Sequence, residues 1–260
     1  VSRETLAAVG SEPFAQGTVA VLAALRREIA PLEARMTKSR QFSAGSFRAS
    51  VGRLDGTEVI VACTGDGREN AARGVQALLE RYPVGRLIVI GVAGGLSPSL
   101  RVGSLLVARE VVENGGSVPA PDAGWLQRAR RDTGATPAVF VSTPNVLCTL
   151  REKADAYSSL PGGGVAAVDL ETATYARAAS LRGIPYLALR AISDTAEEAL
   201  PMDFNALRDP AGSVDIRRVT LRALTRPRIL PSLWEWRGRV SLCSENLARA
   251  VQTLLAGGCP

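Results

Sequence analysis

Two buried-looking strands that each end on a carboxylate constrain this chain more than any other feature. Residues 164–168 are small and apolar and run into Asp169 and Glu171, where a helical stretch, TATYARAASLRG, begins. A second apolar run, IPYLALRAI, reaches Ser193 and Asp194. Short continuous apolar runs are the signature of strands buried on both faces, which requires helices over both sides of a sheet. In such sheets ligands bind beyond the carboxyl ends of the strands, so Glu171 and Asp194 are expected to face one crevice. Two acids with different tasks suit the cleavage of a glycosidic bond.

The rest of the chain alternates strand and helix signals, which predicts a single α/β domain with a mixed, mostly parallel central sheet flanked by helices. A first strand is expected over 18–25 and a helix from about 26 to 36. Residues 45–54 and 57–63 read as paired strands joined by Asp55-Gly56, a two-residue hairpin turn. TGDG (64–67) leads into an amphipathic helix, RENAARGVQALLERY. The strand RLIVIG (86–91) leads into a second glycine turn, VAGGLSPSL. Glycine there lets the backbone approach an anion or a sugar. Residues 113–137, rich in Gly, Pro and Asp, read as a surface excursion able to cover a site. A further helix is expected near 150–160. Residues 1–17 are expected to be an extension, and their sequence has no apolar block of a secretory signal. The domain is placed at 18–260, with a helical tail over about 201–260 in which two helices flank RPRILPSLWEW.

Composition narrows the chemistry. The chain has no histidine, which excludes Ser-His-Asp and Cys-His catalysis. The four cysteines, at 63, 148, 243 and 259, lack zinc or redox spacing; reduced thiols of a cytoplasmic protein are expected. Net charge is +6, but the arginines are scattered and not interleaved with aromatics, so no nucleic-acid partner is expected. No run of about 18 apolar residues is present.

VDLETATYARAASLRGIPYLALRAISDTA is similar to the "V(D/E)MEA … VRAISD" block of the nucleoside phosphorylase and methylthioadenosine/S-adenosylhomocysteine nucleosidase superfamily. GVAGGL resembles the "GSAGGL" turn of that family, TGDGRENAARGVQALLERY its glycine-started helix, and AALRREIAPLE its first strand and helix. The four pieces occur in order over about residues 18–200. The tail, ALPMDFNALRDPAGSVDIRRVTLRALTRPRILPSLWEW, resembles the C-terminal region of hopanoid-associated phosphorylases.

The resemblance implies a nucleoside phosphorylase-type fold and cleavage of a purine N-ribosyl bond. Adenine is the favoured base, from SDTA, and an adenosyl-linked lipid such as adenosylhopane is a further expected substrate. Asp194 matches the general acid that protonates the purine. For that it must hold a proton near neutral pH, so burial or a neighbouring carboxylate is expected beside it. Glu171 matches the acceptor of the ribose hydroxyls, and Leu170 the apolar wall beneath the sugar. Ser193, Leu147 and Gly65 join the substrate site, as does Val92, which stands where the family often has Ser. Glu28 matches the glutamate that activates water, and Arg26 the arginine that holds phosphate, so hydrolysis and phosphorolysis both stay open. Plainer roles exist for most of these residues: helix capping for Ser193, Asp194 and Asp169, a first-turn carboxylate for Glu171, a surface cation for Arg26.

No metal or organic cofactor is implied; inorganic phosphate would be a co-substrate of the phosphorylase branch. The expected partner is a purine nucleoside, lipid-linked or not. A homodimer or higher homo-oligomer is expected, with peripheral membrane contact through the Arg-rich tail and its Trp234 and Trp236. The rival reading is a non-catalytic nucleoside- or lipid-binding protein on the same fold, to which Val92 points.

Overall fold

The computed structural model describes residues 17–44, 47–209, 214, 225 and 227–256. Nearly all of the expected N-terminal extension, and of the tail helix read over 214–225, lies outside the described residues.

Three parallel strands carry the centre: β1 (Thr18–Ala23), β5 (Val84–Gly95) and β10 (Tyr186–Asp194). Val21 pairs with Ile88 and Ile88 with Leu187. Successive side chains point to opposite faces, so these strands feed two separate cores. Leu22, Leu87, Val89 and Ala188 face one, and Val21, Ile88, Ile90 and Leu189 face the other. Helices α2 (Arg68–Arg81) and α5 (Thr172–Ser180) cover the first core; α1 (Arg26–Glu33), α3 (Ala123–Thr133) and the C-terminal helix α6 (Leu230–Ala256) cover the second.

The sheet is mixed. On one side β1 continues in parallel to β4 (Thr57–Cys63), then antiparallel through β3 (Phe47–Leu54) to β2 (Thr37–Ala44). Asp55 and Gly56 both have positive φ, 49° and 85°, as the expected hairpin turn requires. On the other side β6 (Leu105–Glu113), β8 (Thr136–Ser142) and β9 (Ala166–Asp169) link β10 back to the end of β5. The pairing β5–β9–β8–β6–β10–β5 therefore closes on itself, and the strand ends at one rim of this ring face a common hollow. A short strand β7 (Gly116–Ser117) pairs with β6, and α4 (Leu150–Ser158) connects β8 to β9.

Three sequence expectations need correction. GVAGG is not a turn: β5 runs on through Gly95, and Gly94 pairs with Val168. None of these glycines has positive φ; they serve close approach instead. A Cβ on Gly94 would sit 3.1 Å from both Asp194 Oδ2 and Val168 Cγ1. The 113–137 excursion does not reach the hollow, because α3 buries Trp125 and Ala129 in the second core against α6. The last helix begins earlier than expected, inside RPRILPSLWEW, while all but Val214 and Thr225 of the helix expected before it lies outside the described residues. After a 3-10 turn at Pro227–Ile229, one helix runs from Leu230 to Ala256, with Pro231 in its first turn, where proline costs no hydrogen bond.

Candidate active site

The hollow is lined by the segments that follow β1, β4, β8 and β9, by the ends of β5 and β10, and by the tail. Glu28, Val92, Leu147, Leu170, Glu171, Ser193 and Asp194, all anticipated from sequence, line one cavity. Two anticipated residues do not. Arg26, first residue of α1, is exposed and lines a separate groove with Glu33 and Arg48. Glu28, two positions on, points inward, because two residues turn an α-helix by about 200° and so to its opposite face. Gly65 supports the wall indirectly: at φ +93° its N–H donates to Ala24 O, and Asp66 takes the lining position.

Glu28 is 3% exposed. Its Oε2 reaches back to the Leu25 N–H at 2.8 Å, and its Oε1 accepts the Val92 N–H at 2.9 Å. The side chain of Val92 cannot bind a ligand as serine would, but its backbone fixes the carboxylate. Burial pushes the Glu28 carboxyl above the usual carboxylate range, opposed by those two N–H groups and by Arg190. Gly91 makes the approach possible, since a Cβ there would lie 3.2 Å from Glu28 Oε1 and 3.1 Å from Arg190 Nη1.

Glu171 precedes α5 as its N-cap residue, yet its side chain turns away from the helix and accepts the Gly67 N–H at 2.8 Å. Desolvation, then the nearby charge of Asp169, raises its pKa to about 8. Asp169 is the local cap, receiving the Thr172 N–H at 3.3 Å and the Ser142 hydroxyl at 2.7 Å. Its Oδ2 also pairs with Arg190, through Nε at 2.9 Å and Nη2 at 2.8 Å. Arg190 is a charge in the middle of a strand whose nine residues are all buried. It places one cation beneath Glu28, Glu171 and Asp169, and those carboxylates hold it protonated against its own burial.

Asp194 ends β10 and is buried. Ser193 donates its hydroxyl to Oδ1 at 2.7 Å, so Ser193 orients the acid rather than capping a helix. Its other oxygen is met by a cation. Lys153 Nζ of α4 lies 2.5 Å from Oδ2; of the two expected surroundings, burial or a neighbouring carboxylate, the site has burial, with a cation as the neighbour.

The tail closes the remaining side through Leu200, Phe204, Arg208, Val214 and Trp236. Asn205 fastens it by accepting the Val146 N–H and donating to Val146 O, both at 2.9 Å. The Val214 N–H donates to Asp66 Oδ2 at 3.1 Å on the opposite wall. Phe204 and Trp236 pack with ring centroids 5.3 Å apart. Arg239 of α6 pairs with Glu198, in the turn just after Asp194.

Lys153, Arg190, Asp66 and the aromatic pair were not assigned from sequence. Arg190 carried a legible signal, an arginine inside an apolar strand; the others depend on contacts with residues more than 30 positions distant, such as Lys153 to Asp194. Among the described residues no cluster of His, Cys, Asp or Glu is placed to hold a metal ion.

The chain as a whole is similar to known proteins in sequence and in fold. A 5′-methylthioadenosine/S-adenosylhomocysteine nucleosidase of Geobacillus thermodenitrificans is 29% identical over 212 residues, covering 74% of this chain and 90% of that protein. Its Bacillus thuringiensis counterpart is 27% identical over 221 residues, covering 74% and 92%. In fold, the chain matches the nucleosidase of Neisseria meningitidis solved with methylthio-immucillin-A at a TM-score of 0.71 and 22% identity, covering 92% of this chain and 99% of that one. Futalosine hydrolase of Helicobacter pylori matches at 0.72 and 17% identity, covering 93% and 98%. The profile described as Phosphorylase superfamily matches residues 18–225, and the chain belongs to that family.

Proposed function

We propose that this protein is an enzyme that hydrolyses the N-glycosidic bond of an adenine nucleoside. The observation that carries the hydrolytic branch is the contrast between Glu28 and Arg26. The carboxylate is buried in the cavity wall and held at both oxygens, whereas the arginine expected to bind phosphate lies outside the cavity. Glu28 takes a proton from water attacking the sugar C1′. Burial raises its carboxyl, so it is a stronger base once ionised than an exposed glutamate. Asp194 gives a proton to a purine ring nitrogen as the bond breaks, so the electron pair leaves on a neutral base. Glu171 accepts the ribose hydroxyls, and Leu170 and Val168 form an apolar floor. The adenine preference rests on the nucleosidases to which the chain is similar.

The tail wall favours a large, mostly apolar group on the nucleoside. Base, sugar hydroxyls and water are each met by one carboxylate, which leaves Leu200, Phe204, Val214 and Trp236 for a further, apolar part of the substrate. An adenosyl-linked lipid such as adenosylhopane satisfies that requirement. Trp234, two residues from the wall, is 70% exposed on α6 and is the natural point of contact with a membrane surface for such a substrate.

The test is adenine release from adenosine, 5′-methylthioadenosine and an adenosyl-linked lipid, with and without phosphate. Release that is independent of phosphate and lost in Glu28→Gln supports hydrolysis. Strict phosphate dependence would transfer the assignment to the phosphorylase branch, and binding without release would leave the non-catalytic rival.

A further inference from the structure

Lys153 is 1% exposed and sits behind the general acid. Its three ammonium hydrogens have three acceptors: Asp194 Oδ2 at 2.5 Å, Thr195 O at 2.7 Å and Glu198 O at 2.7 Å. Stapling the turn after β10 needs only the two carbonyl bonds, which any neutral donor could make. Burying a cation against Asp194 as well is costly, and a buried ion pair is weak evidence of a purely stabilising role. The identity of the cation is informative too. Of the 31 basic residues only Lys38 and Lys153 are lysines. A chain that otherwise uses arginine places a lysine at the one position touching the acid, and lysine, unlike arginine, can surrender a proton.

We propose that Lys153 is a positioning residue that shares one proton with Asp194 and keeps it available for the leaving purine. The inference rests on the glycosidic cleavage proposed above. As the C1′–N bond breaks, its electron pair goes to the purine. A proton passes from the Lys153–Asp194 pair, through the Asp194 carboxyl, to a purine ring nitrogen. Water adds its hydroxyl to C1′ and its proton goes to Glu28. Solvent then returns one proton to the pair and accepts one from Glu28, so the cycle consumes water alone.

Other charged and titratable groups near the pair are otherwise engaged. The Glu198 carboxylate is bound by Arg239 of α6 and the Thr195 N–H. Glu152, beside Lys153 on α4, caps its own helix through Thr149 and the Cys148 N–H. Asp203 lies by Cys148 and bonds the Asn205 N–H. The Cys243 thiol of α6 donates to Ile192 O, and burial pushes it up to about 11. Under the proposal the alkaline limb of kcat is carried by the Lys153–Asp194 pair as a unit, while Glu171, the carboxyl of the same cavity raised to about 8, acts through KM.

The experiment follows kcat and KM from pH 5 to 10 for the full chain, with adenosine and 5′-methylthioadenosine as probes. It compares wild type, Lys153→Gln and Lys153→Arg. Gln keeps donors for the two carbonyls but carries no dissociable proton. Its alkaline limb should move at least about 2 pH units lower, with KM changed less than about threefold. Arg keeps the charge but cannot release the proton, so kcat should fall at least about 100-fold at every pH. A uniform loss in Lys153→Gln with the limb unmoved, or rescue by Arg, would overturn the inference while leaving the glycosidase reading intact. A wild type that releases no adenine from either probe would overturn that reading, and this inference with it. A variant-independent check uses lysine-labelled wild type, whose two side-chain signals are followed by NMR. The Lys153 titration should coincide with the alkaline limb, and a separation of more than about 1 pH unit would overturn the proposal.

Discussion

Replacing Glu171 with Gln should abolish activity while making the protein more stable at alkaline pH. The carboxyl is buried, and its pKa in the folded chain is about 8 against an ordinary 4.5. Between those values the folded chain holds a proton that the unfolded chain has released. Stability therefore falls as pH rises from 4.5 to 8, and the full cost is present above 8. At about 1.4 kcal/mol per pH unit, that cost approaches roughly 5 kcal/mol at pH 9. Gln carries no such cost, and its amide oxygen can still accept the Gly67 N–H that Glu171 holds at 2.8 Å. The assay is urea denaturation of wild type and Glu171→Gln at pH 4.5, 6, 7.5 and 9. The stability of the variant relative to wild type should climb through this series by several kcal/mol. A gap that stays flat, or that narrows toward pH 9, would refute a buried carboxyl kept protonated by desolvation.

Wild-type KM should fall as pH rises through about 8, because Glu171 must ionise to accept both ribose hydroxyls; a KM flat from pH 6 to 9 would argue against that role. Asp194→Asn should lower kcat by about 100- to 10,000-fold, roughly 3 to 5 kcal/mol of barrier, with little change in ground-state binding. Full activity would reduce Asp194 to a structural residue. Trp236→Ala should raise KM for adenosine carrying a bulky apolar substituent about tenfold more than KM for adenosine itself, as expected from a lost aromatic wall. An equal rise for both would place Trp236 in the core rather than against the substrate.

Much of the fold was legible because its central strands are buried on both faces, and a continuous apolar run such as RLIVI or YLALRAI has few other uses. The Asp55-Gly56 hairpin was legible from backbone chemistry alone. GVAGG misled because glycine has two uses that look alike in sequence: sharp turning, and the absence of a side chain where Asp194 and Val168 press close. The site was legible where a residue stands at a strand end, as with Glu171 and Asp194. It was illegible where function depends on a partner from a distant element. The spacing around Lys153 says nothing of Asp194, 41 residues away. Arg26 and Glu28 show the limit of local reading, since two residues apart on one helix they face different surroundings.

Water activated by Glu28 is the proposed nucleophile. The most direct test of that role is turnover of an adenine nucleoside in oxygen-18 water containing phosphate, with the sugar product analysed by mass spectrometry. The expected product is free sugar carrying one heavy oxygen at C1, in equal yield with or without phosphate, and none from Glu28→Gln. Unlabelled sugar 1-phosphate as the product would contradict it.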